Sequence, residues 1–269
     1  MRLCALILLY LLAACGVSPP PVSESGRPQR IVSLDYCADQ YVLRMVEPER
    51  ILAVSRDAHM PFSYMREAAA GLPVVRASAE SVLALKPDLV VRSYGGGPNA
   101  ARLFEQAGVP TVQVGWAGDL DGIRRVTREM ATALGAEATG EEIVADFDRR
   151  LAAIRARTGQ PSSLYMTPGG VTSGPGSLVH EMLVAAGLAN FVTTPGWQDL
   201  PLEHLVREQP DHVAYASFNS HKTPWSRARH PVARAQLDTL PVTRMEGAWT
   251  SCGAWFLIDA IEQLAQEAS

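Results

Sequence analysis

The sequence has no basic tract and no nucleic-acid-binding signature. Lys and Arg total 24 against 28 Asp and Glu, so nucleic acid is excluded as a partner. It has no His-Glu-x-x-His, no Gly-x-Ser-x-Gly and no Gly-Lys-Ser/Thr ending to the glycine cluster Gly95 to Gly97. Metalloprotease, serine-hydrolase and nucleotide-hydrolase readings therefore lack their chemistry, and no catalytic residue, cofactor or metal set is assigned. The six histidines are scattered, without tight ligand spacing. The one long apolar run near the start is too short for a membrane span, which needs roughly 20 residues. Only four cysteines are present, too few for a disulfide-dense scaffold.

What is present is said twice. "ESVLALKPDLVV" begins at Glu80 and "EHLVREQPDHVA" begins at Glu203. Glu80, Pro87, Asp88 and Val90 align with Glu203, Pro210, Asp211 and Val213 at one constant separation. The later segments "AGVPTVQVG" and "DTLPVTRMEG" echo each other in the same way. Repeats this far apart imply two similar lobes rather than a solenoid, whose units are far shorter. Two lobes make a cleft, and clefts bind ligands.

Each unit has a physical reading. "SVLALK" is a short helix that Pro87 stops, because proline lacks an N–H and disfavours helix in the preceding residue. "LVVRS" is a β-branched apolar run that suits a buried parallel strand. "PNAARLFEQAG" is a helix closed by Gly108, and "VPTVQV" is the next strand. The order implies a right-handed βαβ unit. "GIRRVTREMATALG" and "GEEIVADFDRRLAAIRARTG" are helical by spacing, with Ile143, Phe147, Leu151 and Ile154 on one apolar stripe. The fold class is α/β, with two similar sandwich lobes and a ligand cleft between them.

The amino terminus states a compartment. Arg2 precedes an apolar run from Leu3 to Ala14, which suits a signal-peptide core. The run ends Leu12-Ala13-Ala14-Cys15, which resembles the bacterial lipobox, where cleavage leaves the cysteine as a lipidated first residue. "GVSPPPVSESGRPQ" then reads as an extended tether. Residues 1–14 are the expected leader, 15–29 the tether, 30–120 the first lobe, 121–160 a connecting helical segment and 161–269 the second lobe. In an oxidising compartment the two remaining cysteines, Cys37 and Cys252, form a disulfide, stay as free thiols or contact ligand; sequence leaves all three open.

The chain resembles the periplasmic binding proteins of the iron-siderophore, haem and cobalamin class, which serve ABC importers. The resemblance rests on "RIVSLDYCADQYVLRMVEPERILAVS", "SAESVLALKPDLVV", the mid-chain helix, "VTSGPGSLVHEMLVAAGLANF" and "PLEHLVREQPDHVAYAS". It implies that one long helix joins the lobes rigidly. It also implies a metal-chelate or corrinoid ligand, ABC permease and ATPase subunits as partners, and a monomeric periplasmic protein held to the membrane by lipid. One glutamate on each lobe docks into arginine pockets of the permease in that class; by motif match these are Glu80 and Glu203. The blander role for both is a first-turn acid complementing the helix dipole, worth about 0.3–1 kcal/mol.

Ligands of open α/β sheets lie beyond the strand C-termini. That rule makes Asp35, Tyr36, Cys37, Tyr94, Trp116, Thr172, Trp197, Phe218 and Trp249 the candidate ligand contacts. Arg56, Arg76 and Arg92 are candidates for neutralising an anionic chelate. The rival reading is a metal-ion binder using His59, His180, His221 or His230 with a carboxylate.

The mature chain is expected to begin at an acylated Cys15. Intact mass spectrometry of membrane-fraction protein should give a diacyl- or triacyl-cysteine mass. Soluble protein starting at another residue would refute it.

Overall fold

The computed structural model describes residues 26–154, 159–217 and 225–267. The leader and most of the tether, with Cys15, lie outside these residues, as do Phe218 and His221. Among the described residues, no helix is long and apolar enough to cross a membrane.

The first sheet is laid down by β1 (Ile31–Ser33), α1 (Tyr36–Met45), β2 (Ile51–Ala53), α2 (Ala79–Leu83), β3 (Leu89–Arg92), α3 (Ala100–Gln106) and β4 (Thr111–Gln113). Two helices follow, α4 (Leu120–Leu134) and α5 (Glu137–Ala153). The rest is β5 (Ser162–Met166), β6 (Val171–Ser173), α6 (Leu178–Ala185), β7 (Ala189–Asn190), β8 (Trp197–Asp199), α7 (Leu202–Arg207), β9 (His212–Ser217), α8 (Pro231–Thr239), β10 (Val242–Glu246) and α9 (Leu257–Glu267). The first sheet has strand order β2-β1-β3-β4 and the second β10-β9-β5-β7. Every pairing in both is parallel. Counted within its own sheet, each order is second, first, third, fourth. The duplication therefore reaches the topology, and only the antiparallel pair β6–β8 is an insertion.

Parallel strands must be covered on both faces, because both are apolar. Alternate residues of β1 obey this. Ile31 enters a large central core, while Val32 enters an outer one with Val90 and Phe104. In the second sheet, Tyr165 and Ala214 face the same central core, and Leu164 and Val213 face a separate outer one. The central core is filled by residues of α1, α4, α5 and α9, such as Tyr41, Met130, Phe147 and Ile261. One helical layer thus covers the inner faces of both sheets. The chain passes between sheets through α4 and α5, which pack closely on each other. Gly140 makes that approach feasible, since a Cβ there would lie 2.3 Å from the Ala131 methyl.

The repeated Pro-Asp has a structural reason. The Asp88 carboxylate accepts the N–H groups of Gln29 at 2.7 Å and Arg30 at 2.9 Å, just before β1. The Asp211 carboxylate accepts the Ser162 N–H at 2.8 Å and its hydroxyl at 2.9 Å, at the start of β5. Each aspartate N–H returns a bond, Asp88 to the Arg30 carbonyl at 2.9 Å and Asp211 to that of Ser162 at 3.0 Å. The clamps set the register Ile31↔Leu89 in one sheet and Ser163↔His212 in the other. Both Ser162 donors hold the Asp211 carboxyl below its usual range.

Asp88→Ala and Asp211→Ala should each cost about 1–2 kcal/mol. The double variant should lose about the sum, because the clamps sit in different sheets. Urea unfolding reads both, and an unchanged midpoint in the double variant would overturn the clamp.

Candidate functional site

The ends of the strands deliver side chains into a groove between the two lobes. Tyr36 follows β1, Tyr94 follows β3, and Thr167 follows β5. With Phe62, Tyr165, Trp197, Thr250, Ser251 and Asp57 they line a cavity of about 550 Å³. That volume suits a ligand of drug size or larger. On the first-lobe side, Tyr36 meets Phe62 edge-on at 5.4 Å between centroids and Tyr94 at 6.4 Å. On the other side, Tyr165 and Trp197 stand 6.2 Å apart and nearly perpendicular. An adjoining hollow of about 340 Å³ shares Tyr94, Trp197, Thr250 and Ser251, and adds Trp116, Cys37 and Cys252.

These walls are held by buried polar groups. The Asp35 carboxylate is 1% exposed and accepts the N–H groups of Ala38, Ser93, Tyr94 and Gly95. It caps α1 and pins the loop carrying Tyr94 in one arrangement. Gly95 is needed there, because a Cβ would lie 2.4 Å from the Leu34 carbonyl oxygen. Asp39, fully buried on α1, accepts the Ser55 N–H at 3.0 Å and hydroxyl at 2.5 Å. The Ser55 oxygen in turn accepts the Asp57 N–H at 3.1 Å, so a three-residue relay positions Asp57 at the cavity wall. Burial pushes the Tyr36 hydroxyl up to about 12 and, aided by the Asp35 charge, raises that of Tyr94 well above its usual value. Both phenols are therefore protonated at neutral pH.

Several bonds join the lobes at the cleft and behind it. Cys37 and Cys252 form a disulfide with Cα atoms 5.8 Å apart. The Ser251 hydroxyl donates to the Phe62 carbonyl at 2.9 Å, and the Tyr64 hydroxyl to the Asp259 carboxylate at 2.8 Å. Asp259 also accepts from Arg150 on α5 at 2.6 Å, beside Glu262.

Of the residues expected at the cleft, Tyr36, Cys37, Tyr94, Trp116 and Trp197 come together there. Three do not. Asp35 spends its carboxylate on backbone amides inside the protein. Thr172 is fully buried in β6. Trp249 packs against the central core instead of lining either hollow. Phe218 lies outside the described residues. Sequence reasoning missed Phe62, Tyr165, Asp57, Thr167, Thr250 and Ser251. Tyr165 looked like any strand residue, while Thr250 and Ser251 had a signal in their neighbour Cys252.

None of the three candidate arginines is among the residues that line the two hollows. Arg92 is buried and donates to the Gly97 carbonyl at 3.1 Å, and Arg56 and Arg76 are exposed. Among the described residues, no group of three or more His, Cys, Asp or Glu side chains could hold a metal ion. His180 lies 3.5 Å from the Asn190 amide, His230 caps α8 and His59 is exposed. Glu80 and Glu203 are exposed at the second residues of α2 and α7. Glu203 also borders a depression of about 750 Å³ on the second lobe. It is larger than either hollow of the cleft, but one lobe alone walls it.

Two parallel-sheet lobes with an aromatic groove between them define a two-lobed binding protein. The model of the periplasmic binding protein family matches residues 31–221, and the chain belongs to that family. Members are substrate-binding proteins of transport rather than enzymes, and the family indicates a periplasmic location. Among curated proteins none matches the chain. Several solved structures share its fold. A periplasmic haem-binding protein from Pseudomonas aeruginosa is 23% identical with a TM-score of 0.67, over 88% of this chain and 91% of the other. A periplasmic haem-binding protein from Roseiflexus sp. RS-1 is 24% identical, TM-score 0.65, over 88% and 99%. The periplasmic vitamin B12 binding protein of Vibrio cholerae is 18% identical, TM-score 0.63, over 89% and 96%.

Burial pushes the Asp39 carboxyl up to about 6, despite the Ser55 bonds that oppose the shift. Its folded value lies above the unfolded one, so the native state holds the proton longer. Its contribution to stability is full below about pH 4 and is lost as pH rises to about 6. Stability of the wild type relative to Asp39→Asn should therefore fall by roughly 2–3 kcal/mol across that window. Denaturant melts at a series of pH values check it; parallel curves would refute it.

Proposed function

We propose that this chain is the lipid-anchored solute-binding component of an ABC importer. It captures a metal chelate, such as an iron siderophore or haem, or a cobamide, in the interlobe cleft and delivers it to the permease. The observation that carries the reading is the pair of opposed aromatic walls, Tyr36–Phe62–Tyr94 against Tyr165–Trp197, around one cavity. Flat or conjugated ligands gain both apolar burial and ring stacking in such a groove. Family membership supports the transport role. Names of structural relatives that bind haem or vitamin B12 support the ligand class. The protein is a monomer in this reading, with Cys15 as its anchor and residues 121–160 as the joint between lobes.

Glu80 and Glu203 dock the permease. They hold equivalent, exposed positions in each lobe, in the first turns of α2 and α7. Charge-assisted contacts of carboxylates with arginines suit a transient partner, because they orient it and remain salt-sensitive. The rival metal-ion reading has no supporting cluster among the described residues.

A thermal-shift panel of ferric siderophores, haem and cobamides should find a complex that raises the melting temperature by mass action. The variant E80K/E203K should keep that shift and lose uptake in cells, since like charges would face the permease arginines. Normal uptake at normal expression would refute docking. No shift with any complex would refute the ligand class.

A further inference from the structure

The described lining of the cleft is rich in rings and holds no cationic side chain. Among the described residues that line its two hollows there is no Lys, Arg or His, and the one charged side chain is Asp57. Asp57 is half-buried, and the Asp39–Ser55 relay holds its backbone, so the acid is built in rather than drifting on the surface. The positive amino end of α1, which begins at Tyr36, is already capped by the buried Asp35 carboxylate. The adjoining hollow is bordered by the amino end of α6, capped by Ser177. The chain as a whole is also acidic, with a formal charge of −4.

This charge arrangement selects among ligands. A ferric tris-catecholate is triply anionic, and a porphyrin carries two carboxylates. Either would bring anionic oxygen into a groove where the described lining offers no cation, and an unpaired charge in a partly dry site is costly. Ring faces carry the negative end of the aromatic quadrupole, so Tyr36, Phe62, Tyr94 and Trp197 attract positive charge. A carboxylate among rings is the chemistry of a cation site.

Building on the chelate-binding reading, we propose that the cleft selects complexes that present a neutral or cationic face, with Asp57 as the counter-charge. The matching class is a ferric hydroxamate or a cationic corrinoid. Complexes that display carboxylates or catecholate oxygens are turned away.

The test uses three probes on the intact mature protein, with calorimetry as the readout. They are a ferric tris-hydroxamate with a terminal ammonium, the same complex N-acetylated to neutrality, and a ferric tris-catecholate. The ammonium complex should bind at least about tenfold more tightly than the catecholate. Asp57→Asn should weaken the ammonium complex by about tenfold and leave the acetylated one unchanged. Its melting temperature should stay near that of the wild type, which separates lost charge from lost fold. Tighter binding of the catecholate, or no effect of Asp57→Asn on the ammonium complex, would overturn the charge rule while leaving chelate capture intact. Failure of all three probes together with cobinamide and haem would overturn both.

Discussion

A parallel sheet has two apolar faces, and both must be kept from water. This chain has two such sheets and covers the inner face of each with the same helices. Tyr41, Met130, Phe147 and Ile261 sit in one core with Ile31 of the first sheet and Tyr165 of the second. The remaining architecture depends on that shared layer. It holds the sheets side by side, and their strand ends open into a common groove. Residues a few positions beyond those ends, such as Tyr36, Tyr94 and Thr167, then face each other without any helix reaching across.

The groove is stiffened from both sides. Behind it, Arg150 of α5 grips Asp259 and Glu262 of α9, and Asp259 also takes the Tyr64 hydroxyl. In front, the disulfide and the Ser251 hydroxyl fasten the segment before α9 to the first lobe. These ties differ in kind from surface ion pairs such as Arg128–Glu141, where both partners are exposed and the net gain is small. Polar groups buried near the cleft have a second effect. Asp35 fixes its loop by accepting four N–H groups, and Asp39 holds Ser55 by its N–H and its hydroxyl, so the aromatic walls stand on ordered backbone.

Much of the fold was legible because it is written locally and twice. Pro87 and Pro210 stop short helices, and the apolar strands follow at once. The repeat was visible before its cause was: Asp88 and Asp211 stood out only as matched positions, and the neighbouring strand reveals them as register clamps. The cleft was half legible. Tyr36, Tyr94 and Trp197 could be placed because they belong to chain that flanks or forms strands. Asp35 misled because an acid between strand and helix serves equally as a ligand contact or an N-cap, and four amide donors decide for the cap. Thr172 misled because β6 pairs with β8 and turns its hydroxyl inward, which the glycine-rich context hid. Phe62, Thr250 and Ser251 lie in irregular segments whose position is set by contacts between distant parts of the chain. No local pattern announces them.

The disulfide joins residues 215 apart in sequence, one just after the first strand and the other just before the last helix. Closing so long a loop restricts the unfolded chain by about 5 kcal/mol in the chain-entropy picture. It also makes nearly the whole folded body a covalent ring. A protease that cuts one exposed loop inside the ring opens it without releasing a fragment. The two pieces remain tethered at the floor of the groove and interlocked through the common core. Damage that would divide an ordinary two-lobed protein here leaves a nicked but undivided molecule.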